Sequence, residues 1–291
     1  METTPGVKSR LILNLALLLA LVGLGLYAYL RPGEEKKPEI AITQLHRADV
    51  DSVRIQRGAE MDVQMQKRNG AWLMLHPYQT RADPLQVDRL LDITLATASD
   101  MFPEENLARY GLEPAIATVT LNDQLFQFGS INEVTNEQYL SSDGNIYLVR
   151  TYLGYNVPLD VNKLLSHKLL GENEKPVAFD FGSWKAEKND KDAWSLQGQL
   201  HPEREVTPTP DELNIWVAEW NLASALSVTP YQGKPHGERI EIRFIDGASA
   251  TFQVLSRQPD VRLLRVEENM VYQLGTDAGG RLLDPYRVAD S

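Results

Sequence analysis

The chain predicts an α+β protein: an N-terminal transmembrane helix followed by two tandem related α+β modules, each with an antiparallel sheet and one packed helix. Three observations carry this. Leu11 to Leu30 is a run of twenty residues without a charge. The remainder alternates short β-rich segments with turn pairs such as Asn69-Gly70, Asn122-Asp123 and Asp246-Gly247, which favour hairpin connections over parallel crossovers. A set of landmarks also recurs at an offset of about 125 residues, as though one unit were written twice.

The apolar run comes first. At about 1.5 Å of helix rise per residue it matches a hydrocarbon core of roughly 30 Å. Lys8 and Arg10 precede it as the n-region of a cleaved signal would, but signal h-regions span only roughly 7 to 15 residues. The exit Leu26-Tyr27-Ala28-Tyr29-Leu30 lacks paired small residues for a peptidase, and its tyrosines suit a membrane interface. The expectation is an uncleaved anchor that meets the lipid bilayer through residues 11–30. Gly23 and Gly25 do not have the spacing of a helix-dimer face. Lys8 and Arg10 face Arg31, Lys36 and Lys37 across the run, so positive charge alone does not orient it. A ten-residue tail before a long domain is the ordinary form of a signal anchor. Residues 1–10 are therefore expected in the cytoplasm, and the body on the periplasmic side of the inner membrane.

Residues 31–39, with Pro32 and Pro38, read as a linker. The first module is assigned to 40–170, a second linker to 171–176 and the duplicate module to 177–291. Leu75-His76-Pro77 recurs as Leu200-His201-Pro202, each shortly after a tryptophan, Trp72 or Trp194. Both tryptophans follow a turn, Asn69-Gly70 or Asn189 to Asp192, as in hairpins. Next come two helix starts, Asp83-Pro84-Leu85-Gln86 and Thr209-Pro210-Asp211-Glu212, each with a cap, a proline at the first helical position and Gln or Glu at the third. Val87, Leu90, Leu91, Thr94 and Ala98 align with Leu213, Trp216, Val217, Trp220 and Ser224 as one helix face, which places Trp216 and Trp220 in a core. Thr118 to Leu121 then pairs with Glu241 to Phe244, and Gly144 to Leu148 with Asn269 to Gln273, as strands. Between the modules, Leu159 to Leu170 has helical spacing, closed by Gly171 and Pro176.

Catalytic patterns are missing from this sequence. His46, His76, His167, His201 and His236 are scattered, none with the paired spacing of a zinc helix, and with no cysteine either no zinc site is expected. Zero cysteines suit an exported chain without disulfides and a reduced compartment equally. Asp49 and Asp51 read as a polar strand edge, and Gly279-Gly280 as a turn. His76 and His201 occupy equivalent positions before proline, where extended backbone is required. No nucleophile elbow, phosphate loop or dinucleotide fingerprint is present. The formal net charge of -11 argues against a nucleic-acid partner. Arg54, Arg57, Lys67 and Arg68 are the densest basic group and read as a solvated sheet face. No catalytic, cofactor-binding or metal residue is assigned.

Trp72 with Pro77, the helix entry Ala82-Asp83-Pro84 and Leu107-Ala108-Arg109-Tyr110-Gly111-Leu112-Glu113-Pro114 together resemble the membrane-anchored family called domain of unknown function 4340, from about Val53 onward. The resemblance implies an accessory subunit that works beside the ATPase and ABC-2-type permease of a gliding-motility-type ABC transporter, with no catalytic residues to carry over. The second unit lacks a Tyr-Gly-Leu equivalent. The expected function is a non-enzymatic accessory protein whose exported modules bind a permease or its cargo. Two alternatives stay open: an envelope hydrolase whose carboxylates are distant in sequence, and a spacer holding another protein off the bilayer.

Overall fold

The computed structural model describes residues 6–30, 39–198, 200, 201, 203 and 207–289. Most of the expected linker 31–39, the start of the tail and Pro202 of the repeated Leu-His-Pro lie outside them. Two compact units are present, Met1–Glu39 and Ile40–Ser291. In the first, α1 (Gly6–Leu30) is one helix of 25 residues. Its segment Arg10–Tyr27 has a mean hydropathy of 2.0 and is long and apolar enough to cross a membrane.

The second unit holds two antiparallel sheets. Strands β1 (Ile40–Ala41), β2 (Ser52–Arg57), β3 (Met61–Arg68), β4 (Ala71–His76) and β5 (Thr80–Arg81) precede helix α2 (Pro84–Leu91). After it come β6 (Thr97–Pro103), β7 (Ala117–Leu121), β8 (Gln124–Ile131), β9 (Glu137–Ser142) and β10 (Asn145–Arg150). A short helix α3 (Tyr152–Asn156) leads to the second set, β11 (Pro176–Asp180), β12 (Trp184–Lys188) and β13 (Trp194–Gly198), then α4 (Pro210–Leu222). The last strands are β14 (Ser227–Pro230), β15 (Glu238–Phe244), β16 (Ser249–Ser256), β17 (Val261–Arg265) and β18 (Met270–Leu274), followed by α5 (Thr276–Leu282) and α6 (Tyr286–Ala289).

The two sheets have the same connectivity. The first runs β1-β6-β10-β9-β8-β7-β2-β3-β4-β5, and the second, read from its far edge, runs β14-β18-β17-β16-β15-β11-β12-β13. Removing the two-residue edge strands β1 and β5 leaves eight positions that correspond one to one in chain order, with α2 and α4 at the same point of each path. The register agrees too, since Trp72 pairs with Lys67 and Trp194 with Lys188. The repeated turn chemistry and the repeated landmarks thus reflect a repeated topology.

Both packed helices start where their cap chemistry puts them. Asp83 accepts from the Leu85 and Gln86 amides ahead of α2, and Thr209 with Glu212 closes a capping box on α4. The stripes differ in length. On α4, Leu213, Trp216, Val217 and Trp220 are all buried, whereas α2 ends at Leu91. Thr94 lies in the following 3-10 turn, bonding back to the Leu91 carbonyl, and Ala98 lies in β6. The aligned position Ser224 is exposed beyond α4.

Two further expectations are corrected. Leu159 to Leu170 is not a helix: after a single 3-10 turn, Val161–Leu164, the chain is extended and bridges Ala82 to Leu165 and Lys168 to Ser224. Leu164, Leu165, Leu169 and Leu170 enter one continuous apolar cluster that holds residues of both sheets. Their clustered spacing reflects burial in an extended strap, not a helix face. Gly279-Gly280 is not a turn but part of α5. A Cβ on Gly279 would stand 2.4 Å from the Val261 Cβ, so the missing side chain lets α5 press on β17.

Candidate functional site

The segment 107–114 is built around glycine. A 3-10 turn, Leu107–Tyr110, is entered through Asn106 at φ 54° and left through Gly111 at φ 65°. The Gly111 and Leu112 amides donate back to the Ala108 and Leu107 carbonyls. The loop seats on β8, where Ser130 Oγ donates to the Tyr110 carbonyl at 3.0 Å. A Cβ on Gly129 would lie 2.3 Å from that carbonyl oxygen, and one on Gly111 3.0 Å from the Ser130 nitrogen. The seated loop sets the Tyr110 ring, tilted, against Tyr139 at 4.8 Å and Phe102 at 5.6 Å between ring centroids, with the Arg109 guanidinium 5.8 Å from the Tyr110 ring. The Tyr-Gly-Leu motif is therefore a device that lays an aromatic shelf on the first sheet. Gly129→Ala forces the loop off β8 and is expected to cost about 1–3 kcal/mol, as overpacking does, read from urea unfolding followed by tryptophan emission.

Beside this loop, an open cleft of about 730 Å3 lies between the end of β2, α2 and the segment 154–163. Arg57, Arg89 and Lys163 line it, with Asp83 as its carboxylate. Arg57 Nη2 donates to the Val157 carbonyl at 3.2 Å, and Asn156 Nδ2 to the Arg89 carbonyl at 3.1 Å, so two hydrogen bonds fix the α3 side of the cleft. The Nε of Arg57 is buried and finds no acceptor among the described residues, and burial pulls its pKa below the usual arginine value. Asp83 is engaged as the cap of α2, and His167 Nδ1 lies 2.8 Å from the Ala225 carbonyl. Ile116, Ile131, Tyr155 and Leu159 supply exposed apolar surface on the walls.

A second charged cluster is buried and joins the two sheets. Arg81 of β5 binds Glu268 in the β17–β18 turn at 2.5 Å, and Thr80 Oγ1 and the Tyr272 hydroxyl donate to the same carboxylate at 2.9 and 2.5 Å. Arg265 binds Glu174, from the expected 171–176 linker, and the Leu169 carbonyl. Burial opposes ionisation of Glu268, but Arg81 and Arg265 outweigh it and hold its carboxyl below the usual range. Burial pushes the Tyr272 hydroxyl up, so it stays protonated and donates. These ion pairs fasten one sheet to the other, although Arg81 Nη1 and Arg265 Nε are buried without a hydrogen bond among the described residues.

The remaining sequence candidates separate. Asp49 lies in a 3-10 turn before β2, not on a strand, and its carbonyl accepts from Asn122. Arg54 forms a two-pronged pair with Asp62. His76 ends β4, whereas His201 lies beyond β13 between Glu203 and Asp284 at 3.0 Å each, and the hydrogen bond to Asp284 raises its pKa; no contact joins the two histidines among the described residues. Trp216 and Trp220 are fully buried. Among the described residues no group of three potential metal ligands occurs. Arg57, read as one of a solvated basic group, was the residue missed. Its signal was parity, because it falls in phase with the buried Val53 and Ile55 of β2.

No curated protein and no solved structure matches the chain. One family model does, described as a domain of unknown function (DUF4340), over residues 72–229. That stretch begins at Trp72, contains the α2 entry and all of 107–114, and ends in β14. It covers more than half of the 291 residues, and the chain belongs to the DUF4340 family.

Proposed function

We propose that the protein is a single-pass, membrane-anchored accessory component of an ABC-type transport system, working without catalysis from the periplasmic side of the inner membrane. The observation that carries this reading is the pairing of one membrane-length helix with a body that offers surfaces for attachment: an aromatic shelf at Tyr110 and an open, cation-lined cleft. The ionisable groups of that cleft support binding over proton transfer. Arg57, Arg89 and Lys163 line it with basic side chains, Asp83 is occupied as a helix cap, and His167 Nδ1 is turned to the Ala225 carbonyl. The shelf suits a protein partner, since aromatic and arginine side chains dominate the energetics of interfaces.

The test is extraction of the full chain in mild detergent with a photo-crosslinking residue in place of the exposed Arg109, and a second preparation labelled at Ile245, which is 71% exposed in the turn between β15 and β16. A permease subunit should co-purify and crosslink from position 109 in preference to 245. Recovery of a free monomer without crosslinks at 109 would refute the reading.

A further inference from the structure

The cleft by α2 inverts the charge of the molecule around it. The chain carries a formal net charge of -11, yet the cleft presents three cations against one carboxylate, Asp83, whose oxygen already holds the Leu85 and Gln86 amides. Among the described residues none of the three cations forms an ion pair within the protein. Arg57 is the informative member. Its inward phase on β2 brings a guanidinium to the cleft wall, where Nη2 is held by the Val157 carbonyl and Nε has no acceptor among the described residues. An arginine held there is poised for an oxyanion, which takes two N–H groups at once.

The walls add a second requirement. Tyr155 and Leu159 are 74% and 72% exposed, with Ile116 beside them, an apolar rim that a bare inorganic anion would leave in water. The volume, about 730 Å3, falls within the roughly 300–1,000 Å3 of small-molecule sites.

We infer that this cleft binds a phosphate-bearing amphiphile, with Arg57, Arg89 and Lys163 receiving the phosphate and Ile116, Tyr155 and Leu159 receiving the adjoining alkyl portion. The role is separate from attachment of a permease at the Tyr110 shelf. Membrane phospholipid and soluble alkyl phosphates share this chemistry, and the two sources differ in whether the phosphate is a diester or a monoester.

The test uses the full chain in nanodiscs of neutral phosphatidylcholine, titrated calorimetrically against blank nanodiscs. The probes are hexyl phosphate, dihexanoyl phosphatidylglycerol, inorganic phosphate and hexanol. One or both amphiphilic phosphates should bind, at least about tenfold more tightly than inorganic phosphate or hexanol, because only they engage both halves of the cleft. The tighter of the two assigns the source. The double variant Arg89→Gln, Lys163→Gln changes exposed side chains alone and should weaken binding by about tenfold or more while urea unfolding stays unchanged. Arg57→Lys, which keeps the charge but not the fork, should weaken it less than Arg57→Gln. No heat above the blank from either amphiphile, equal affinity for inorganic phosphate or hexanol, or unchanged affinity in the double variant would overturn the inference.

Discussion

Glu268→Ala is expected to lower the free energy of unfolding by about 3–5 kcal/mol, the range for removing one partner of a buried ion pair. The magnitude follows from burial. The side chains of Glu268 and Arg265 are 9% and 6% exposed, and Arg81 of the same cluster is 13% exposed. Deleting the carboxylate leaves two guanidinium groups sharing Glu174 as their one carboxylate among the described residues and strips an acceptor from Thr80 and from Tyr272. Glu268→Gln, which keeps an acceptor but not the charge, should fall between. The pH dependence has a definite sign. A carboxyl whose folded pKa is depressed contributes stability that is complete above its unfolded value, near about 4.3, and is lost as pH falls through the folded value. Wild-type stability should thus decline with acid below about pH 5 more steeply than that of Glu268→Ala. Urea titrations monitored by tryptophan emission at pH 4 and 7 measure both. Because Arg81 belongs to the first sheet and Glu268 to the turn between β17 and β18 of the second, the variant should also separate their unfolding into two steps. A single transition of unchanged midpoint would remove the fastening role.

Trp216→Ala should cost a comparable amount, about 3–5 kcal/mol. Trp216 has no exposed surface and is the hub of the second core, with ring centroids 4.6 Å from Phe179, 5.7 Å from Trp184 and 6.3 Å from Phe181. Its Nε1 donates to the Leu282 carbonyl at the end of α5, and Trp220 Nε1 donates to the same oxygen. That carbonyl keeps one donor in either single variant, so the loss is chiefly packing. Trp216→Phe, which gives up the hydrogen bond and part of the area, should cost about 1–2 kcal/mol. Replacing both tryptophans orphans the carbonyl, and the double variant should lose more than the sum of the singles. Differential scanning calorimetry of Trp216→Ala, Trp216→Phe, Trp220→Ala and the double variant decides this.

What could be read from the sequence was whatever local chemistry specifies. Helix starts were legible because Asp83 and Thr209 make short-range bonds to amides two or three residues away. Hairpins were legible because Asn69 and Gly70 both take positive φ. The strap 165–170 was not, because leucines buried against both sheets in extended backbone cluster much as a helix stripe does. The buried ion cluster was not, because Arg81 and Glu268 are distant in the chain and an ion pair leaves no periodic trace. Arg57 and Arg265 nevertheless share a mark. Each closes an alternating strand on its buried phase, after Val53 and Ile55 or after Val261 and Leu263. A cation on that phase signals either a buried partner, as at Arg265, or a cavity wall, as at Arg57.

The chain enters the body at β1, whose hold on the ten-stranded sheet is two residue pairs, Ile40 with Ala98 and Ala41 with Thr97. Any pull arriving along the chain from the N-terminal side loads this short seam before it reaches the next strand in sequence, β2, which lies deep in the sheet between β7 and β3. Mechanical failure would then be graded, with a few hydrogen bonds yielding first while the fastened sheets behind them stay shut.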